Sequence, residues 1–186
     1  MKNLYLLLLV SSFYLVSCSS TADTDKTATE SESTAGQDAG QANIKDDVSN
    51  PNIVQVAISS KDHTTLVAAV KAAGLVDALS NVGPFTVYAP TNAAFDKLPA
   101  GTVDGLLKPE NKEALRNILE YHTYVGALKT DYMGEGGDFE QVNAKKIKIT
   151  KKDGKYFVNG TAEIIASIPT SNGMIHVINE VLSTPK

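Results

Sequence analysis

The sequence predicts an α+β domain, and two observations carry that expectation. Apolar residues recur at helical spacing through much of residues 52–122, and alternation of period two takes over from Val125 onward. Helices first and strands later point to segregated α+β rather than alternating α/β architecture. No internal repeat is visible.

Asn52 to Ile58 is a short apolar stretch of one or two helical turns. Asp62-His63-Thr64-Thr65 offers N-cap residues before a helix in which Leu66, Val67, Val70 and Ala73 recur at helical spacing, and Gly74 supplies the stop. Leu75 to Leu79 reads as another helical turn. Phe85 to Tyr88 reads as a strand stopped at Ala89-Pro90, because proline removes a donor. Thr91 or Asn92 then caps a turn running from Phe95 to Leu98. Glu110 to Tyr121 is the strongest helix: Leu115, Ile118, Leu119 and His122 share one face, and Glu110 and Glu113 sit in the first turn, where the helix dipole favours acids. Lys146 to Thr150 alternates cleanly, and Asp153-Gly154 turns it into Tyr156-Phe157-Val158, a hairpin. Ala162–Ile168 and Met174–Leu182 are β-rich, with Asn172-Gly173 as the tight turn between them. Gly134-Glu135-Gly136-Gly137 lacks the strand-to-helix setting of a phosphate loop and reads as a flexible surface turn.

The chain has 186 residues, a net charge of −4, no Trp and one Cys. A lone cysteine excludes an internal disulfide framework and a Cys-rich zinc site. It stands at position 18, where the apolar run Leu4–Val16 ends in Leu15-Val16-Ser17-Cys18 after the basic start Met1-Lys2-Asn3. Thirteen residues suit a signal-peptide core and fall short of the ~20 that span a bilayer. The ending resembles a bacterial lipobox, so residues 1–17 are expected to be a lipoprotein signal peptide and Cys18 the lipid attachment site. Two kinds of acyl group on one residue give stable anchoring where a single chain is marginal. Residues 19–34 then hold nine Ser or Thr, and residues 19–47 carry a net charge of −5. Residues 18–47 are therefore expected to be the lipidated Cys and a disordered acidic tether spanning ~30 Å. The remaining domain, 48–186, has fourteen basic and fourteen acidic groups, a balance that disfavours nucleic acid as a partner.

Three ordered segments resemble the fasciclin (FAS1) domain family: Phe85-Thr86-Val87-Tyr88-Ala89-Pro90-Thr91-Asn92-Ala93-Ala94-Phe95, the Tyr121-His122 pair, and Ser171 to Leu182 with its Asn172-Gly173 turn. The resemblance spans about residues 50–184. It implies a wedge-shaped β-sandwich with a cluster of helices packed at one end, and it implies adhesion or matrix contact in an extracellular or envelope setting, with no catalytic site shared across members. Two positions depart from the family pattern. Asn179 stands where many members have Asp, and Ser167-Ile168 stands where many have the Asp-Ile tied in animal members to integrin binding.

Among reactive residues, no Gly-x-Ser-x-Gly elbow or paired-carboxylate pattern occurs, and no catalytic residue, metal site or cofactor is expected. His63 reads as a solvated residue at a helix start. His122 and His176 fall in two family boxes and are expected to lie near each other and to make structural hydrogen bonds inside the fold. Asn159-Gly160-Thr161 matches a glycosylation sequon, explained by a turn. Lys145, Lys146, Lys148, Lys151, Lys152 and Lys155 make six lysines in eleven residues. They fit the solvated face of an edge strand, or a patch for an anionic polymer such as an acidic polysaccharide. Candidate binding residues are thus Tyr121, His122, Asn172 and His176, with Lys146, Lys148, Lys151 and Lys152. The leading expectation is an envelope-anchored, non-catalytic adhesion or matrix-binding domain at the outer membrane or cell surface. Its partners would be the membrane, through the lipid, and a polysaccharide or surface protein. The alternative is a domain that binds a small apolar or carbohydrate ligand, in a pocket lined by aliphatic and Tyr residues of the helical end.

Overall fold

The computed structural model describes residues 50–184. The expected signal peptide, Cys18 and the acidic tether lie outside the described residues. Six short helices precede or interrupt a seven-stranded mixed sheet: α1 Ile53–Ser59, α2 Thr64–Ala73, α3 Val76–Ser80, β1 Phe85–Pro90, α4 Asn92–Phe95, α5 Thr102–Leu106, α6 Lys112–Tyr121, β2 Thr123–Val125, β3 Gly136–Glu140, β4 Lys146–Lys152, β5 Lys155–Val158, β6 Ala162–Thr170 and β7 Gly173–Ile178.

Local chemistry explains the helix ends. Asn52 and Gln55 form a capping box at α1: Asn52 Oδ1 accepts from the Gln55 N–H at 2.9 Å, and Gln55 Oε1 accepts from the Asn52 N–H at 2.9 Å. Gly74 ends α2 at φ 70°, a left-handed conformation that a β-carbon disfavours. The start of α2 differs from expectation. No local side chain caps it; Asn92, from the far end of β1, accepts from the Thr65 N–H at 3.1 Å and from the Thr64 hydroxyl at 3.2 Å. Its amide also donates to the Lys61 carbonyl at 3.0 Å. Thr91 caps α4 alone, its hydroxyl accepting from the Ala94 N–H at 3.3 Å.

The strand order is β2-β1-β7-β6-β5-β4-β3. Only the β1–β7 pair is parallel, running from Phe85↔Gly173 to Pro90↔Ile178. Strand β1 therefore extends to Pro90, two residues past the expected stop. Alternation along β1 and β7 feeds two cores. Val87, Ala89, Ile175 and Val177 pack with Ile53, Leu66, Val70, Leu115 and Leu119 of the helices. Tyr88 and Ile178 pack with Tyr121, Ile147, Ile149 and Val158 on the other side. This is an α+β sandwich with helices against one half of the sheet, as the resemblance implies. Long β6, with a register shift between Ile164 and Ala166, carries the sheet from one half to the other.

The two terminal strands meet. The Val142 N–H, just past β3, donates to the Thr123 carbonyl of β2 at 2.9 Å, and the Tyr124 and Phe139 rings stand edge to face at 5.8 Å. The sheet is therefore nearly closed. Two expectations are corrected here. Gly136-Gly137 belongs to strand β3 instead of a flexible turn: Gly136 lies so close to the Ile149 carbonyl that a β-carbon would not fit. The lysine-rich strand β4 is also no edge strand, since β3 and β5 flank it.

Candidate functional site

The junction of α6 and β2 holds Tyr121 and His122, both almost wholly buried. Their placement follows from the amphipathic face of α6, which buries Leu115 and Leu119 and carries the next turn inward. The Tyr121 hydroxyl donates to the Lys146 carbonyl at 3.2 Å and accepts from the Asn159 amide at 3.0 Å. Asn159, at φ 52° in the turn after β5, in turn accepts from the Lys148 N–H at 2.9 Å. One phenol thus ties a helix end to β4 and to the β5–β6 turn.

Each family-box histidine is fixed in one tautomer. His122 Nδ1 faces the Ile118 carbonyl at 2.8 Å and must carry the proton, so Nε2 accepts from the Leu182 N–H at 3.0 Å. His176 has the opposite arrangement: Nε2–H donates to the Leu128 carbonyl at 2.8 Å, and Nδ1 accepts from the Ser167 hydroxyl at 2.7 Å. Burial pushes the His122 pKa down to about 4, opposed by the Ile118 carbonyl. Burial also lowers His176, opposed by the Leu128 carbonyl. Both imidazoles are neutral, with both nitrogens engaged inside the fold. Ser167, one of the two departures from the family pattern, is the partner of His176. Asn179, the other, accepts from the Glu163 N–H at 2.9 Å.

Asn172 is a three-way pin. Its Oδ1 accepts from the Ile53 N–H at 3.0 Å at the start of α1, and its amide donates to the carbonyls of Leu79 at 2.8 Å and Asn81 at 3.1 Å at the end of α3. His63 corrects the expectation of a solvated residue. It is buried, its Nδ1 lies 2.7 Å from the Ser60 hydroxyl and its Nε2 has no partner. Burial lowers its pKa against the opposing charge of Asp62. A buried feature with no sequence signal is Tyr88, whose hydroxyl is also unpartnered and whose ring lies 5.6 Å from that of His176. Burial raises its pKa well above the usual phenol range.

The lysines are exposed, Lys146 and Lys148 alternate with buried Ile147 and Ile149 as expected, and acids are set against several of them. Lys146 is registered opposite Glu140 and Lys148 opposite Asp138 on β3. Lys151 lies 3.4 Å from Glu135, and Lys155 lies 2.7 Å from Glu163. Lys152 is registered opposite Lys155 at the hairpin end. Among the described residues, no group of three or more His, Cys, Asp or Glu side chains could hold a metal ion. No described helix is long and apolar enough to cross a membrane.

A cavity of about 210 Å³ opens among α2, α4, α5, α6 and the segment after β7. Its walls are aliphatic, with Phe95 and His122 as the ring side chains. The expected tyrosines line no part of it.

A nearly closed mixed sheet, capped by helices on one half and pinned by buried neutral histidines, defines a class of helix-capped β-sandwich domains. The fasciclin domain model matches residues 61–185, and the chain belongs to the fasciclin domain family. It is 50% identical over 133 residues to Protein sll1483 of Synechocystis sp., covering 72% of this chain and 73% of that protein. It is 34% identical over 111 residues to the cell surface glycolipoprotein MPB83 of Mycobacterium bovis, covering 60% of this chain and 48% of that one. A solved FAS1 domain pair from the insect cell adhesion molecule fasciclin I matches the fold with a TM-score of 0.64 at 17% identity, over 72% of this chain and 51% of that one.

Proposed function

We propose that this chain is a lipid-anchored envelope protein that holds one non-catalytic fasciclin domain away from a membrane for adhesion or matrix contact. The observation that carries the reading is the pairing of a fasciclin domain with Cys18 at the end of the apolar run Leu4–Val16. The relative named as a cell surface glycolipoprotein supports the same setting. Buried His122 and His176 support a non-catalytic role, because an imidazole bound at both nitrogens has no free nitrogen with which to meet a substrate. The acidic tether between Cys18 and the domain would raise the local concentration of the domain near a neighbouring surface, so that weak contacts add up. The partner would be a surface protein or a polysaccharide, met by the exposed face of the sheet.

The test is Cys18→Ser in the producing cell. The unaltered chain is expected in the membrane fraction, and the variant is expected to leave it and to retain its uncleaved leader. Cells bearing the variant are expected to lose the cell-to-surface attachment that the anchored chain confers. An unaltered chain whose Cys18 carries no acyl groups by mass spectrometry would exclude the anchor, and unchanged attachment would exclude adhesion as its purpose.

A further inference from the structure

We infer that the cavity between the helices and the C-terminal segment is a binding site for a small neutral apolar molecule bearing one hydroxyl or carbonyl group. The size sets the first limit. At about 210 Å³ it exceeds the ~150 Å³ cavity known to take benzene, and it has room for about ten carbons. The lining sets the second. No lining side chain is charged: His122 is held neutral by its two bonds, and the other polar side chains are the hydroxyls of Thr102, Ser183 and Thr184. A carboxylate or phosphate entering this site would lose its hydration with no cation to replace it. A single hydroxyl or carbonyl would find partners among those three hydroxyls.

The third limit is the wall itself. Helix α5 has no buried residue, and its Val103 and Leu106 with the following Leu107 are only half-buried although they face the cavity. Every other α-helix buries at least one side chain. The helix is entered through Gly101 at φ 80°, where a β-carbon would meet no neighbour within 4 Å. An occupant therefore gains apolar contact from α5 that the protein alone does not complete.

The test is calorimetric titration of the full, mature chain held in detergent, with the same detergent free of protein titrated as the blank. The probes are geraniol, a neutral ten-carbon alcohol, and geranic acid, which has the same skeleton and is ionised at pH 7. Geraniol is expected to saturate at one per chain, with geranate at least tenfold weaker. Leu106→Trp, which places bulk in the cavity from the half-buried helix, is expected to weaken geraniol at least tenfold while the melting temperature stays within a few degrees. Should that variant fail to fold, Ala69→Leu fills the cavity from α2. In the unaltered domain, nuclear Overhauser contacts are expected between geraniol and the methyl groups of Leu66, Leu115 and Leu119. Absence of saturable geraniol binding, equal binding of geranate, or binding without those contacts would each overturn the assignment.

Discussion

His122 and Asn172 show what single side chains do in this domain. An unfolded histidine titrates near 6.5, and folded His122 titrates near 4. Above pH 6.5 both states are neutral and stability is complete. As pH falls from 6.5 toward 4, the unfolded chain takes up a proton that the folded chain refuses, and stability is lost at up to ~1.4 kcal/mol per pH unit, about 3 kcal/mol across the window. His63 and His176 shift in the same direction. Urea unfolding at pH 7.5 and 5 is expected to show this fall, and His122→Gln is expected to be less stable at pH 7.5 with a flatter pH dependence. Asn172→Ala strands the Ile53 N–H and the Leu79 carbonyl in a buried setting. A loss of about 2–4 kcal/mol is expected from the urea midpoint. Asn172, His122 and His176 were visible in the sequence as box residues. Their bonding was not, because every partner but Ile118, Ser167 and Thr170 lies more than 40 residues away or is a backbone atom that no side-chain pattern reports.

At the scale of elements, the helices and the β4–β5 hairpin were legible because each follows from its own spacing: Leu115 and Leu119 on one face of α6, Ile147 and Ile149 on one face of β4. Strand β3 was not. Gly-Gly-Asp-Phe-Glu has no β-branched residue, and it is a strand because β4 presents a ladder to it and only glycine fits beside Ile149. The cap of α2 was equally hidden, since its acceptor comes from Asn92, 27 residues beyond the Thr65 donor. Asn92→Ala removes that cap and the bond to Lys61 together. A loss of about 1–2 kcal/mol is expected in the urea midpoint with the slope unchanged, whereas a cap confined to α4 would make the change nearly silent. The exposure of Lys146 and Lys148 on β4 is legible in their alternation with Ile147 and Ile149. Their acidic counterparts on β3 are not, because Gly-Gly-Asp-Phe-Glu carries no strand pattern of its own.

At the scale of the molecule, the architecture was legible from three ordered segments, and the cavity was legible only as a pocket at the helical end, with its lining unresolved. Of the aliphatic and Tyr residues expected to line it, the aliphatic side chains of α2, α5 and α6 do meet around the void, with Phe95 of α4, while Tyr121 and Tyr88 turn into the second core. The long-range ties also give the chain a temporal order. Ile53 is bound to Asn172, and every residue of β1 is registered with one of β7. Such separated pairings are slow to form and cannot begin until both partners exist. A chain ending at Ser171 lacks β7 altogether and is expected to show no cooperative thermal transition, as calorimetry would read. The domain therefore stays unfolded on the ribosome until β7 has emerged, which leaves the growing polypeptide threadable up to that point.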